Sequence, residues 1–278
     1  MINGLSLEYT QARIGARLAQ RPDERLWQQV RSARSVPALL ETVRASVAAP
    51  TVSGIPVTGD GDAIELSFRQ QWRTRVDEVA GWSPERWRDA VAYMRFLGDL
   101  PALVHLLSDE GAPRWVSADP ELARYALTTP ADRRTALATG PLAPVAAAVR
   151  ASEIDAPTRR DEPLVRTLKR LRAGHGLHAA LAAWEREWRT RWPEASSELI
   201  AGMDHVAKLL RTHLLRFGSL PVSDALTARL FLAARLVAHI RRAALQPSAL
   251  FAYLALFALD LERLRGEFVL RARAPAAS

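Results

Sequence analysis

The chain has 278 residues, of which 49% are hydrophobic and 24% charged, with a formal net charge of +8. That length can bury a sizeable core, and the composition excludes a disordered or fibrous chain. The absence of cysteine excludes a disulfide framework, a thiolate metal site and a cysteine nucleophile.

In chain order, Ile64, Phe68, Trp72, Val76 and Val79 form one helical stripe, with a turn expected at Gly81. Ser83-Pro84 predicts a new start, serine as N-cap and proline at the first helical position. The face of that helix is Trp87, Val91 and Met94, running on through Leu97 and Leu100, and Pro101 kinks it or starts a helix carrying Leu103 and Leu107. Asp119-Pro120 and Thr129-Pro130 mark two further starts, the second with Asp132 in a capping-box position. Leu177, Leu181, Trp184 and Trp188 make the next stripe, then Met203, Val206, Leu210, Leu214 and Phe217. Residues 224–242 are apolar on most sides, which predicts a buried helix. From Pro247 onward, Leu250, Leu254, Phe257, Leu261, Leu264 and Phe268 form a long seam expected to face a single neighbour. Thr51 to Thr58 is β-branched but interrupted by Gly54 and Pro56, so it reads as a loop, and the fold class is all-α.

Residues 48–62 and 152–163 read as linkers, rich in proline and polar residues. The helical units are placed at 1–107, 108–220 and 221–278, within one continuous globular domain and ending in a tail from Ala272. Trp72-Arg-Thr-Arg75 and Trp188-Arg-Thr-Arg191, each read as ending a helix, hint at an internal helix-pair repeat.

No apolar run without charges reaches ~18 residues, so no bilayer span is expected. Residues 1–20 lack the basic and apolar blocks of an export signal, which predicts a cytoplasmic location. Gly59-Asp60-Gly61 and Gly174-His175-Gly176 lack the strand and the lysine of a phosphate loop. His175 and His178, spaced as a metal pair beside a helix start at Leu177, have no third ligand nearby and read as a polar helix entry. Asp204-His205 and His213 suggest hydrogen-bonded, partly buried histidines; an enzyme would need His105, His205 and His213 brought together with acidic partners. No G-x-S-x-G elbow or aspartate cluster occurs, so no catalytic, cofactor-binding or metal residue is assigned and no cofactor is expected. Trp27, Trp72, Trp87, Trp184 and Trp188 fall at core positions, whereas Trp82, Trp115 and Trp192 are corner fillers or interface anchors. The basic stretch Arg159 to Arg172 is a solvated face or a docking surface for an acidic protein. It lacks the interleaved aromatics of a nucleic-acid platform, so no nucleic acid is expected.

Three segments resemble a known family. Tyr9-x-x-Ala12-Arg13-x-x-Ala16-Arg17-Leu18, followed by Ser35 and Leu39-Leu40, is similar to the start of the V-type (V/A-type) ATPase C/d-subunit family. Arg88-Asp-Ala-Val91 with Asp99-Leu100 and Leu103-x-x-Leu106-Leu107 resembles its next helix pair, and Ala252-Tyr253-Leu254 with Asp260-Leu261-Glu262-Arg263-Leu264-Arg265 its closing helix. The chain looks shorter than typical members, and residues 114–175 depart from the pattern. The resemblance implies a funnel of three pseudo-equivalent helical units that hydrolyses nothing. It would seat the central stalk of the ATPase and rest on the cytoplasmic loops of its membrane ring, meeting the membrane only through partner proteins. Candidate contact residues on this reading are Tyr9, Arg13 and Arg17, with Arg166, Lys169 and Arg170 in the basic stretch. A divergent helical adaptor on another membrane-bound ion-transporting complex is the alternative.

Overall fold

The computed structural model describes residues 6–57, 60–107, 112–154, 162–217 and 222–273; of residues 153–154, 162–175, 216–217, 222–223 and 273 only the backbone is described. Among the described residues every regular element is helical, as the sequence predicts. The α-helices are α1 (Leu7–Ala19), α2 (Glu24–Ser32), α3 (Val36–Arg44), α4 (Gly61–Trp82), α5 (Glu85–Tyr93), α6 (Leu100–Leu107) and α7 (Arg114–Ala118). They continue with α8 (Pro130–Leu137), α9 (Ala143–Ile154), α10 (Glu162–Arg189), α11 (Ser197–Phe217), α12 (Val222–Arg242) and α13 (Ser248–Arg273). Contacts divide the chain into two compact units: Met1–Ala92 with Glu194–Leu210 and Pro221–Ser278, and Tyr93–Pro193 with Arg211–Leu220.

The first unit is built around α13, which packs against α12, α4, α1 and α3. Every residue from Ala249 to Leu256 is buried, so this helix serves several neighbours rather than the single one its seam suggests. Phe268 packs on Phe68 at 5.8 Å between ring centroids, and Phe251 meets Trp87 edge-on at 6.2 Å. Short polar side chains fix the entries of the first helices: Ser6, Asp23, Ser35 and Asp60 each accept a hydrogen bond from an amide in the first turn of α1, α2, α3 and α4. The stretch read as a linker at 48–62 holds a 3-10 turn, Ala49–Val52, and buries Val52 and Ile55 completely or nearly so.

Three local readings change. Helix α4 runs through Gly81 to Trp82, so Trp72-Arg-Thr-Arg75 lies in its interior and the proposed repeat loses one of its two ends. Ser83 closes α4, its hydroxyl donating to the Val79 carbonyl at 2.7 Å. The apolar run 85–107 is broken by a 3-10 segment, Met94–Asp99, before α6 begins at Leu100, next to Pro101. Glu85–Leu107 is also the one candidate membrane span among the described residues by length and composition, although 56% of its apolar window is buried, and a core helix passes the same test.

The second unit packs α9 against α10 and α6 against both, with α8 on α6. The helix expected to start at Leu177 begins at Glu162 instead, and within it Gly176 lies close against α6 and α9: a Cβ there would lie 3.0 Å from Val104 Cγ1. Thr129 is the N-cap of α8 as expected, its Oγ1 accepting from the Asp132 amide at 3.1 Å, while the Asp132 carboxylate accepts from the Thr129 hydroxyl at 2.7 Å. An aromatic column runs from Tyr93 to Trp184 (6.1 Å, stacked), Trp188 (5.3 Å, stacked) and Trp192 (5.0 Å, edge-on). Burial pushes the Tyr93 phenol up to about 12, against the lowering effect of the Arg191 guanidinium, which lies 3.9 Å over the ring. Burial works to raise Glu185, but hydrogen bonds from Arg211 and Arg189 prevail and hold its carboxyl below the ordinary value.

Candidate protein-docking groove

Helix α12 has two apolar faces with different fates. Leu232, Leu236 and Ile240 recur at helical spacing and are buried at 4%, 0% and 1% exposure, forming the inner face toward α13. Leu226, Leu230 and Phe231 are 39%, 48% and 65% exposed, which corrects the expectation of a helix buried all round. Burial on one side was legible from the pattern; the second side stays open to solvent.

Leu226 and Leu230 of that outer face, though not Phe231, belong to one wall of a groove of about 450 Å³. Its α12 wall runs from Leu226 through Leu230, Ala233, Ala234, Val237 and Ala238 to Arg241, and the facing wall comes from the start of α2 and the middle of α13. Some fifteen residues of helix make the α12 wall about 22 Å long. Asp23 caps α2 through the Leu26 amide at 2.8 Å, which fixes the first turn and turns Glu24 and Trp27 into the groove lining. Leu259 supplies apolar floor from α13.

Charges rim the apolar floor. Arg21 clasps Asp260 through two hydrogen bonds of 2.8 Å each, the planar guanidinium matching the carboxylate. Arg263 lies 3.9 Å over the Trp27 ring, 3.9 Å from Glu24, and burial lowers its pKa against the raising effect of Glu24. Arg229 reaches Glu262 at 3.5 Å. The lining therefore carries Arg21, Arg229, Arg241 and Arg263 against Glu24 and Asp260, a basic excess in a concave apolar site.

Of the candidate contact residues, Tyr9 and Arg13 are exposed on α1, with the Arg13 guanidinium 5.9 Å from the Tyr9 ring centroid and 4.8 Å from that of Trp82. Arg17 also faces Trp82, pairs with Glu78, and lines a smaller cavity of about 80 Å³ that shares Arg21, Pro22 and Asp260 with the groove. The side chains of Arg166, Lys169 and Arg170 lie outside the described residues, as does that of His175. Trp82 is buried, while Trp115 and Trp192 are half-buried at their corners.

No family model, no curated protein and no solved structure matches this chain.

A second cluster lies in the same unit. His205 of α11 stacks on His239 of α12 at 5.2 Å, and His239 Nε2 is 3.0 Å from Ser248 Oγ. Burial, reinforced by Arg235, Arg242 and Lys208, holds His205 below its ordinary pKa, and burial with His205 and Arg242 does the same to His239. Ser248 is fully buried, with Gly202 so close that a Cβ there would lie 3.0 Å from its hydroxyl oxygen. Among the described residues no group of three or more His, Asp or Glu side chains is placed to hold a metal ion. The sequence reading missed His239 because its partners lie on other helices, nine residues away at Ser248 and further at His205.

Proposed function

We propose that this protein is a non-catalytic coupling component, a helical scaffold that joins other protein chains of a membrane-bound complex. The observation that carries this reading is the concave groove along α12, which leaves Leu226 and Leu230 open to solvent beside a basic rim. An open apolar face of this kind marks an interaction surface. The resemblance of residues 9–18, 85–113 and 252–265 to the V/A-type ATPase C/d-subunit family directs the reading to a socket between central stalk and membrane ring. On that reading the helical units form a funnel on the cytoplasmic face of the membrane, and charge complementarity sets its docking register. Tyr9, Arg13 and Arg17 then contribute contacts from α1.

The test is a pull-down of the tagged protein from its native membranes with mass spectrometry of the recovered chains. Recovery of ATPase stalk and ring proteins supports the socket. Recovery of another ion-transporting complex moves the function to the adaptor alternative, and recovery of no membrane-bound partner sinks both.

A further inference from the structure

We infer that the α12 groove receives an acidic amphipathic helix of a partner protein, about four turns long, with its apolar stripe on Leu226, Leu230 and Val237 and its acidic residues toward Arg241 and Arg242. The inference rests on the reading of the protein as a coupling component and names the chemistry of the partner at one site.

Shape comes first. A helix is a cylinder about 10 Å across, and the groove offers a trough whose α12 wall alone is about 22 Å long. The wall residues Leu226, Leu230, Ala233 and Val237 recur at the spacing of one helical stripe, so they present a ridge of large side chains at one end and small ones toward the other. Small residues at Ala233, Ala234 and Ala238 permit close approach of a second helix axis. This is the helix-in-groove mode, read through anchors at helical spacing.

Charge selects the partner. Arg21 is held by Asp260 in a two-bond clasp, Arg263 leans on Trp27 and Glu24, and Arg229 meets Glu262 across 3.5 Å. These three arginines and their carboxylates thus engage one another within the unit, and Arg241 is the lining guanidinium that lies outside these pairs. The C-terminal turn of α12 adds exposed Arg242 beside Arg241, and Arg235 lies over the Phe231 ring at 5.7 Å. A partner rich in lysine or arginine would meet like charge along this rim, whereas glutamates flanking an apolar stripe would be complemented. A second copy of this chain has a net charge of +8, the same sign as the rim, which disfavours it as the occupant. A bilayer is flat, and the apolar floor of a trough cannot reach it as a projecting ridge would.

The experiment uses the full chain and fluorescence anisotropy with two synthetic amphipathic peptides. Both carry leucines at helical stripe spacing; one has glutamates at the flanking positions and the other lysines. The expected result is that the glutamate peptide binds at least about tenfold more tightly than the lysine peptide, with affinity falling as salt rises. Leu230→Asp and Arg241→Glu, both at exposed positions, each weaken that binding by about tenfold while the thermal midpoint stays unchanged. Equal affinity for the two peptides, or no loss in either variant, overturns the inference. So does sedimentation with phosphatidylserine vesicles that Leu230→Asp abolishes, which assigns the face to a membrane. Self-association lost in the same variant assigns it to a second copy. Failure of the peptides with a successful membrane pull-down removes the groove and leaves the coupling function; the reverse result keeps the groove and removes the complex.

Discussion

The Nε of Arg271 donates to the carbonyl of Ala33 at 2.6 Å, although 238 residues separate them along the chain. The same guanidinium donates through Nη2 to the carbonyls of Val30 and Arg31 at 3.0 Å each, and through Nη1 to Glu267 at 2.7 Å. Ala33 is the C-cap of α2, so the last helix supplies the donors that the end of the second one lacks. A positive charge there also opposes the negative end of the α2 dipole.

Arg271→Ala should therefore destabilise the first unit by about 2–3 kcal/mol, since it strands carbonyls that a charged donor satisfied. Arg271→Lys should recover less than half of that, because an ammonium lacks the flat fork that serves several acceptors at once. Urea denaturation followed by helical signal, with unchanged slope, measures both. A loss within experimental error for Arg271→Ala would show that water replaces these donors.

In the second unit Arg133 is 1% exposed, and donates to the carbonyls of Leu106 at 2.8 Å, Leu127 at 3.0 Å and Thr128 at 3.2 Å. It joins the end of α6 to the segment that leads into α8. Arg133→Met keeps the volume of the stem and removes the donors, at an expected cost of about 3 kcal/mol. Hydrogen exchange should quicken across residues 100–137 and stay as it was over residues 7–82. Uniform quickening of the whole chain would instead mean that the two units unfold as one.

The His205–His239 stack makes a pH prediction. Both rings have pKa values lowered from 6.5 in the folded chain. As pH falls below about 6.5 the unfolded chain takes up protons at these positions before the folded chain does, so stability declines with falling pH. Lys208, Arg235 and Arg242 oppose protonation of the pair further, and Ser248 stays within hydrogen-bond reach of His239. The carboxyls of Glu65 and Glu185, held below 4.5 by their arginines, make their own loss at lower pH, outside this window. Urea midpoints should fall between pH about 7 and about 5.5, and His239→Gln should flatten that decline. An equal decline in the variant would place its origin elsewhere.

Leu245 sits in the turn between α12 and α13 with φ of 62°, a left-handed backbone that costs a branched side chain about 1 kcal/mol or more. The side chain is 48% exposed, so little burial offsets that cost. Leu245→Gly should raise the thermal midpoint by a few degrees, the gain from released strain exceeding the entropy that glycine adds to the unfolded chain. A lowered midpoint would mean that the unfolded-state entropy dominates.

Much of this fold was legible in the sequence. Period-3.6 stripes placed α4, α5, α6, α11, α12 and α13, and a polar residue before proline placed α8, because these signals act within one or two turns of chain. The start of α10 was not legible, since the glycines at 174 and 176 look like punctuation until α6 and α9 are seen pressing against Gly176. The end of α4 was missed for a related reason: Gly81 is a poor helix former but carries no signal strong enough to stop a helix whose next residue, Trp82, is buried.

The candidate groove divides in the same way. Sequence alone determined that α12 is apolar around most of its circumference, that the protein is helical, and that arginine supplies its positive charge. Tertiary structure decided which α12 face α13 covers, leaving Leu226, Leu230 and Phe231 open, and brought Arg21, Asp260, Trp27 and Arg263 together from the two ends of the chain. The physical reason is that hydrophobic burial has magnitude but no direction. A stripe of leucines records how much surface must leave water, whereas the neighbour that removes it is fixed only when every helix competes for the same core.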